Sequence, residues 1–362
     1  MHGEPSSPAY KFYNFRQPIL DPWRNISTSL LGILSATEAF QRLKEIRFLG
    51  AIDYVLIDHP NYRKGNVRHS RFHHSRGVAL LAIDYAEKNE LNKRDRLTLM
   101  VAALLHDIGH SPFSHSLEPI FREKLGIDHH RATANIITGN VPIGREVYGV
   151  LRDQLIDVER VIALISGEDT SYHGLFSGPL NFDTVEGVLR SYSYIATGNI
   201  PNPHHIIDAA VNRSTDKDRQ IVDQFWMFKD RIYRSIINST IGVLSDRVCQ
   251  LVVQQHADKL QISDYFSTDL AILRRIPFLR ATFKNLIRKP PTDILNSDMI
   301  SFRSRRFYID STSDFFLRDD VNRYKQTKNN EFLKLNVEHP AKLQSLQDPF
   351  DDDLQRQLSL FE

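Results

Sequence analysis

The chain has 362 residues with 46 basic and 44 acidic side chains, a formal net charge of +2, so it lacks the basic excess that marks most nucleic-acid binders. Hydrophobic residues at 41% and charged residues at 25% fit a globular protein, and no run nears the roughly 20 apolar residues of a membrane span. A single cysteine, Cys249, excludes an internal disulfide. The N-terminus lacks a cationic flank and an apolar stretch, so the expected compartment is the cytoplasm. Length alone allows two average domains or one large core.

In chain order, residues 1–27 are rich in Pro, Tyr and Phe and read as an irregular N-terminal arm; a core is expected over 28–289. Phe40, Leu43, Ile46 and Leu49 recur at helical steps and Gly50 stops that run. Tyr54–Ile57 reads as a short β-like piece before a Pro/Asn/Gly loop. Periodicity then predicts helices at Ser75–Lys88, Lys93–Asp107, His129–Ile137, Arg145–Leu155, Asp157–Ile165 and Asp183–Thr197. Further helices are expected at Lys217–Asn238, with Phe225 and Trp226 in the core, at Ser239–His256 with an inert buried Cys249, and from Ser263 to Ile287. Strand-like alternation is confined to 54–57 and 304–310, so the fold class is all-α. Pro290-Pro291 opens a polar, irregular C-terminal extension, 290–362, which includes the acidic run Asp351–Asp353 and is expected to pack on the core or on a neighbouring subunit.

Histidine is distributed unevenly: nine of the 15 lie between His59 and His130. The apolar run Leu97–Leu105 ends in the adjacent pair His106-Asp107, and burying an imidazole and a carboxylate without partners is costly. A cation shared with other histidines and aspartates would remove that cost. Imidazole and carboxylate together suit Mn, Fe, Zn, Co or Ni. Gly109 and Pro112 end the helix, which lets neighbouring side chains reach one ion, and His110 falls four residues after His106, on the same helical side.

His74, His106-Asp107 and Asp183, in that order, resemble the signature of the HD-domain superfamily of metal-dependent phosphohydrolases. The longer string His106-Asp107-Ile108-Gly109-His110-Ser111-Pro112-Phe113-Ser114-His115 is similar to its deoxynucleoside triphosphate triphosphohydrolase branch, and the resemblance runs over about 30–255. It implies a mostly helical fold with one divalent transition metal on His74, His106, Asp107 and Asp183, with room for Mg on substrate phosphates. It implies catalysis by His115 with Glu118, with His110 close to the chemistry, and phosphate binding by Arg71, His129 and Lys229. His69, His73 and His130 are read as bystanders. The implied reaction takes a (d)NTP to nucleoside and triphosphate, with His115 protonating the leaving oxygen and the metal activating water. Relatives are commonly oligomers, so a homo-oligomer is expected.

Some positions depart from the family pattern. Phe48, Gly187, Ser191 and Ile237 stand where the eukaryotic relative has residues that read or stack on deoxyribose, and Thr184 replaces a cation. These departures leave the substrate open. A nucleotide phosphomonoesterase or cyclic-nucleotide phosphodiesterase on the same metal site, or a non-catalytic nucleotide-sensing module, remain alternatives.

Overall fold

A computed structural model describes residues 22–56, 69–195, 201–286, 295, 299–317 and 323–334. Its helices are α1 (Pro22–Ala36), α2 (Glu38–Gln41), α3 (Ala51–Leu56), α4 (Arg71–Lys88), α5 (Lys93–Leu105), α6 (Glu118–Leu125), α7 (His129–Ile137) and α8 (Arg145–Asp153). They continue with α9 (Val158–Ser166), α10 (Phe182–Tyr192), α11 (Pro203–Asn212), α12 (Asp216–Ile232), α13 (Thr240–Gln254), α14 (Ile262–Tyr265), α15 (Asp269–Arg275) and α16 (Pro277–Leu286). Two strands follow, β1 (Met299–Ile309) and β2 (Tyr324–Lys334), so the described chain is all-α apart from one hairpin.

The central element is α5. Asn92 caps it by accepting the Asp95 amide at 3.0 Å, and every residue from Leu97 to Leu105 is buried. A helix that is apolar all round needs neighbours on every side, and α4, α9 and α1 pack against it. Its C-terminal end, the N-terminal turn of α4 and the N-terminal turn of α10 meet, and that junction positions the candidate site. Among the described residues no single helix is long and apolar enough to cross a membrane.

Several expectations need correction. Tyr54-Val55-Leu56 is helical, not β: Ile52, Val55 and Leu56 are buried on one face of α3 at i, i+3, i+4 spacing, a pattern too short for periodicity to separate from a strand. Ile57 lies outside the described residues. The run expected as one helix from Ser263 to Ile287 breaks into α14, α15 and α16, because Thr268 caps α15 and Pro277 forces Ile276 out of helical geometry. The run 37–49 is α2 followed by a tighter turn at Arg42–Glu45. Three helices, α1, α6 and α11, were not expected; each carries a proline at its start, where the missing N–H costs nothing. Of the expected N-terminal arm, residues 1–21 lie outside the described residues and Pro22 opens α1.

The expected strand 304–310 falls almost wholly in β1, which pairs antiparallel with β2 from Met299↔Lys334 to Ile309↔Tyr324. The expected irregular extension therefore contains an ordered hairpin, and it docks on α12. Trp226 Nε1 donates to the Tyr308 carbonyl at 3.0 Å, and Asp230 Oδ1 accepts from the Phe307 amide at 2.9 Å and from Arg306 Nε at 3.1 Å. Phe225 and Trp226 are buried as expected. Cys249 is buried in α13, and burial pushes its thiol up.

Candidate metal centre

Each element delivers its polar residues by an identifiable local device. Ser70 precedes α4, so Arg71 and His74 lie in its first turn. Asn181 accepts the Thr184 amide at 2.6 Å and starts α10 with Asp183 in the first turn. The α-helical ladder of α5 ends at Leu105, leaving His106 and Asp107 at the helix end. Asp183 Oδ1 then lies 2.9 Å from His74 Nε2 and 3.8 Å from His106 Nε2. Asp107 Oδ2 lies 3.5 Å and 3.4 Å from the same two nitrogens.

The outer faces of both rings are occupied. His74 Nδ1 is 2.5 Å from Glu186 Oε2, and His106 Nδ1 is 2.8 Å from the Ala103 carbonyl. Those contacts place the ring protons on Nδ1 and turn the Nε2 lone pairs inward. Both Nε2 atoms are buried without a hydrogen-bond partner among the described residues. Two lone pairs and two carboxylates repel one another in such a space unless a cation lies between them. Burial lowers the pKa of His74 and His106, yet Glu186 and Asp183 at His74, and Asp107 and Asp183 at His106, overcome it and raise both. Burial pushes the two aspartates up, but His106 with His110 and Arg71 holds Asp107 well below the carboxylate range, and His106 with His74 does so for Asp183. The donors thus fit a divalent transition metal, and their chemistry does not choose among Mn, Fe, Zn, Co and Ni.

A second group adjoins the first. His110 Nε2 is 3.2 Å from Asp107 Oδ1, on the side away from the two imidazoles. The His110 and His129 rings stack at 4.6 Å, and His115 stands edge-on to His110 at 4.7 Å. Glu118 bridges this group, with Oε2 3.0 Å from His115 Nδ1 and Oε1 2.6 Å from His129 Nδ1. The two histidines outweigh burial and hold the Glu118 carboxyl far below its usual range. His115 is the exposed member, with 61% of its side chain accessible.

The loop that joins the groups is strained and heavily braced. Phe113 (φ 58°) and Ser114 (φ 49°) both take left-handed backbone that non-glycine residues seldom adopt. Asp269 Oδ1 accepts the Phe113 amide at 2.6 Å, and Ser114 Oγ donates to the Arg47 carbonyl at 2.7 Å. The buried Arg42 guanidinium donates to the carbonyls of Ile108 and His110, both at 2.8 Å. At Gly109 any Cβ would come within 2.2 Å of the Thr133 amide and 2.4 Å of the His129 carbonyl. Only glycine lets α7 approach this closely, which is what brings His129 onto His110.

Of the residues singled out from the sequence, the structure brings His74, His106, Asp107 and Asp183 together, and beside them His110, His115, Glu118 and His129. Arg71 is buried next to them, donating from a terminal nitrogen to Asp107 at 2.5 Å and from Nε to Ser114 Oγ at 3.0 Å. Lys229 is buried on α12, with burial pushing its pKa down to about 8 against the pull of Asp183. Phe48 packs on the His74 ring at 4.8 Å, and a Cβ at Gly187 would meet the Phe48 ring at 3.4 Å, so these two departures from the family pattern adjoin. Ser191 donates to its own helix at Gly187, and Ile237 is half-buried beyond α12.

Sequence reasoning missed Glu186, Arg190, Arg42 and Asp269. Glu186 lies three residues after Asp183, so the i, i+3 spacing on one helix face was a usable signal. Arg190 grips the Glu186 carboxylate from one turn further on. Gly77 of α4 makes room for it, since a Cβ there would lie 2.3 Å from Glu186 Oε1.

Residues 71–167 match the HD domain family. The chain is 31% identical over 185 residues to an uncharacterized protein YwfO of Bacillus subtilis, covering 50% of this chain and 40% of that one. It is 45% identical over 278 residues to the uncharacterized protein MJ1154 of Methanocaldococcus jannaschii, covering 74% and 55% respectively. It is 32% identical over 141 residues to the human deoxynucleoside triphosphate triphosphohydrolase SAMHD1, covering 34% of this chain and 21% of the human one. The chain thus spans 40% and 55% of the length of the two uncharacterized relatives and 21% of the human one.

Proposed function

The chain carries an HD domain, of the superfamily of helical metal-dependent hydrolases, and from that premise we propose that it hydrolyses a nucleotide, leading with a (d)NTP cleaved to nucleoside and triphosphate. The observation that carries this reading is the juncture at Asp107: one oxygen faces the two orphaned imidazole nitrogens while the other faces His110. A cation-seeking pocket thereby adjoins a group of neutral and cationic donors, which is what an anionic phosphate ester needs. A divalent metal on His74, His106, Asp107 and Asp183 would supply Lewis acidity toward a phosphate oxygen and a more acidic water.

The chain's own residues do the rest. Arg71 holds Asp107 in place and contributes positive charge beside it. His110, His129 and Lys229 offer donors to phosphate oxygens. His115, exposed and fixed at Nδ1 by Glu118, presents Nε2 to the leaving 5′-oxygen, and the carboxylate stabilises the imidazolium that donates the proton. Relatives named as deoxynucleoside triphosphate triphosphohydrolases support this choice of substrate. A second reading, a phosphomonoesterase or cyclic-nucleotide phosphodiesterase on the same centre, is favoured by Phe48 and Gly187 beside His74, where the resemblance leads one to expect sugar-reading side chains. A homo-oligomer belongs to the same reading and is checked by sedimentation.

Metal analysis with a hydrolysis screen over dNTPs, NTPs, nucleoside monophosphates and cyclic nucleotides tests it, products being resolved chromatographically. Released triphosphate supports the leading reading; orthophosphate or a linear nucleotide moves the function to the second. Nucleotide binding without turnover leaves a sensing module, and neither binding nor turnover rejects all three.

A further inference from the structure

The inward donors of the candidate metal centre come from different helices, so their spacing depends on how those helices are held together. His74 lies in the first turn of α4 and Asp183 in the first turn of α10. The Asp183 side chain is 55% accessible, so packing does little to fix its place and the helix that carries it does the rest. A metal site tolerates errors of only about 0.2 Å in its ligand distances. The seam between α10 and the start of α4 therefore has to be rigid.

Arg190 is built into that seam. It is buried, seven residues after Asp183 and four after Glu186, on one face of α10. Its Nε donates to Glu186 Oε1 at 3.0 Å and to Oε2 at 3.1 Å. One terminal nitrogen donates to the His73 carbonyl at 3.1 Å, and the other lies 3.0 Å from His69 Nδ1. A single guanidinium thus reaches the carboxylate behind His74, the backbone next to His74 and a ring just ahead of α4.

His69, a bystander by sequence alone, is buried and engaged at both ring nitrogens. A guanidinium only donates, so Nδ1 accepts and the ring proton sits on Nε2, 2.6 Å from Ser193 Oγ. That hydroxyl in turn donates to the Arg190 carbonyl at 2.7 Å. Burial and the neighbouring Arg190 push the His69 pKa down to about 3, which keeps the ring a neutral acceptor. Its backbone is anchored independently of α10: the His69 carbonyl accepts the Phe48 amide at 3.3 Å, and Ser70 bridges to Arg47. His69 is a fixed post, and Arg190 ties α10 to it.

We propose that Arg190, seated against His69, is a positioning residue that sets the spacing of His74 and Asp183 and with it the metal affinity of the centre. The proposal rests on the reading of those two residues as ligands and deepens it. Arg190 and His69 act through Glu186 and the backbone of α4, not as ligands themselves.

The test uses the full chain, the variants Arg190→Ala, Arg190→Lys and His69→Phe, and a control, Val248→Ala, at a buried position of α13. Cobalt(II) is titrated against a competing chelator, its visible spectrum is recorded at saturation, and thermal unfolding of the metal-free chains is followed. For R190A a 10- to 100-fold weaker cobalt affinity and an altered spectrum are expected, about the size of losing an outer partner of a metal ligand. R190K keeps the charge without the fork and should fall nearly as far. Guanidinium ion at low millimolar concentration, well below denaturing levels, should restore part of the affinity of R190A and none to R190K. H69F keeps the ring contact with Tyr194, seen at 5.0 Å, but removes the acceptor, so a loss of up to about tenfold is expected, the size of one hydrogen bond. V248A should unfold at a lower temperature and keep wild-type affinity and spectrum. The proposal is overturned if R190K binds cobalt as tightly as wild type with the same spectrum, because charge alone then suffices. It is also overturned if V248A loses as much affinity as R190K, which would make the effect one of general stability. Should R190A fail to fold, R190K and H69F decide the matter by the same readouts. Wild type that binds no cobalt overturns the ligand reading and the proposal together, whereas wild-type binding that survives intact in R190K removes the role of Arg190 and leaves the ligand reading standing.

Discussion

Two groups of histidines lie side by side here, and the same side-chain chemistry is set up for opposite tasks. In the first, His74 and His106 have their Nδ1 atoms tied to Glu186 and to a backbone carbonyl, and two further carboxylates face the inward Nε2 atoms. In the second, His110, His115 and His129 also converge closely enough to hold an ion, but their carboxylate, Glu118, sits behind the rings on Nδ1 of His115 and His129. Only the edge of Asp107 reaches His110. Carboxylates in front of the lone pairs make a cavity that calls for a cation; where the carboxylate sits only behind the rings, on Nδ1, the Nε2 edges face outward to meet an anion or pass a proton, and burial pushes the His110 and His115 pKa down. The position of a carboxylate relative to the ring, more than the count of histidines, separates the two groups.

Removing the first group should have the largest effect. Replacing His106 and Asp107 together by alanine should abolish both bound metal and hydrolysis, since it deletes two of the four inward donors and leaves the others uncompensated. A double variant that keeps its metal stoichiometry would show that the cation belongs to the second group, and the contrast would collapse.

His115→Ala comes next. It should leave the metal in place and cut turnover by roughly 10²- to 10⁴-fold, the usual size of lost acid–base catalysis. Metal released along with activity would make His115 a ligand and erase the distinction; unchanged turnover would move proton donation elsewhere.

A middle effect is expected at the carboxylate behind the first group. Glu186→Gln keeps an acceptor for His74 Nδ1 but removes the charge that makes the ring a better donor, so metal affinity should fall by about 10- to 100-fold. Turnover at saturating metal should stay near that of wild type. A metal titration of the variant that overlays the wild-type curve would reduce Glu186 to a structural partner of Arg190.

The first group was more legible in the sequence than its supports. His106-Asp107 is conspicuous because a polar pair cannot end a buried apolar helix unpaid, and His74 and Asp183 followed from the resemblance. Glu186 was not seen because a glutamate on a helix is ordinary until the facing glycine, Gly77, shows that it points inward. Asp269 braces the Phe113 amide from 156 residues away, a distance no local pattern carries. The helical class was plain from 3.6-residue periodicity, whereas α3 was taken for a strand because six residues make too little helix to show a period. The hairpin was half-legible. β1 alternates around Phe307 and Ile309, but its partner β2 is rich in Lys, Asn and Gln and buries only Tyr324, so nothing in its composition announced a strand.

The smallest change probes the carboxylate behind the second group. Glu118→Gln removes the negative charge from His115 Nδ1 without altering side-chain length, and the amide can still accept a hydrogen bond from one of the two rings. Burial already pushes the His115 pKa down against the pull of Glu118, so losing the carboxylate should lower it further and leave less of the proton donor on the alkaline side of its titration. The sign is definite: a weaker hold on the proton means that the falling alkaline limb of kcat against pH moves to lower pH. Bound metal should not change, because Glu118 touches neither His74 nor His106. A limb that stays in place would mean that Glu118 only positions the rings, and a limb that moves together with metal loss would join the two groups into one centre. Only a shift with full metal content keeps them as the structure arranges them, one carboxylate behind His74, another behind His115 and His129, and a different chemistry in front.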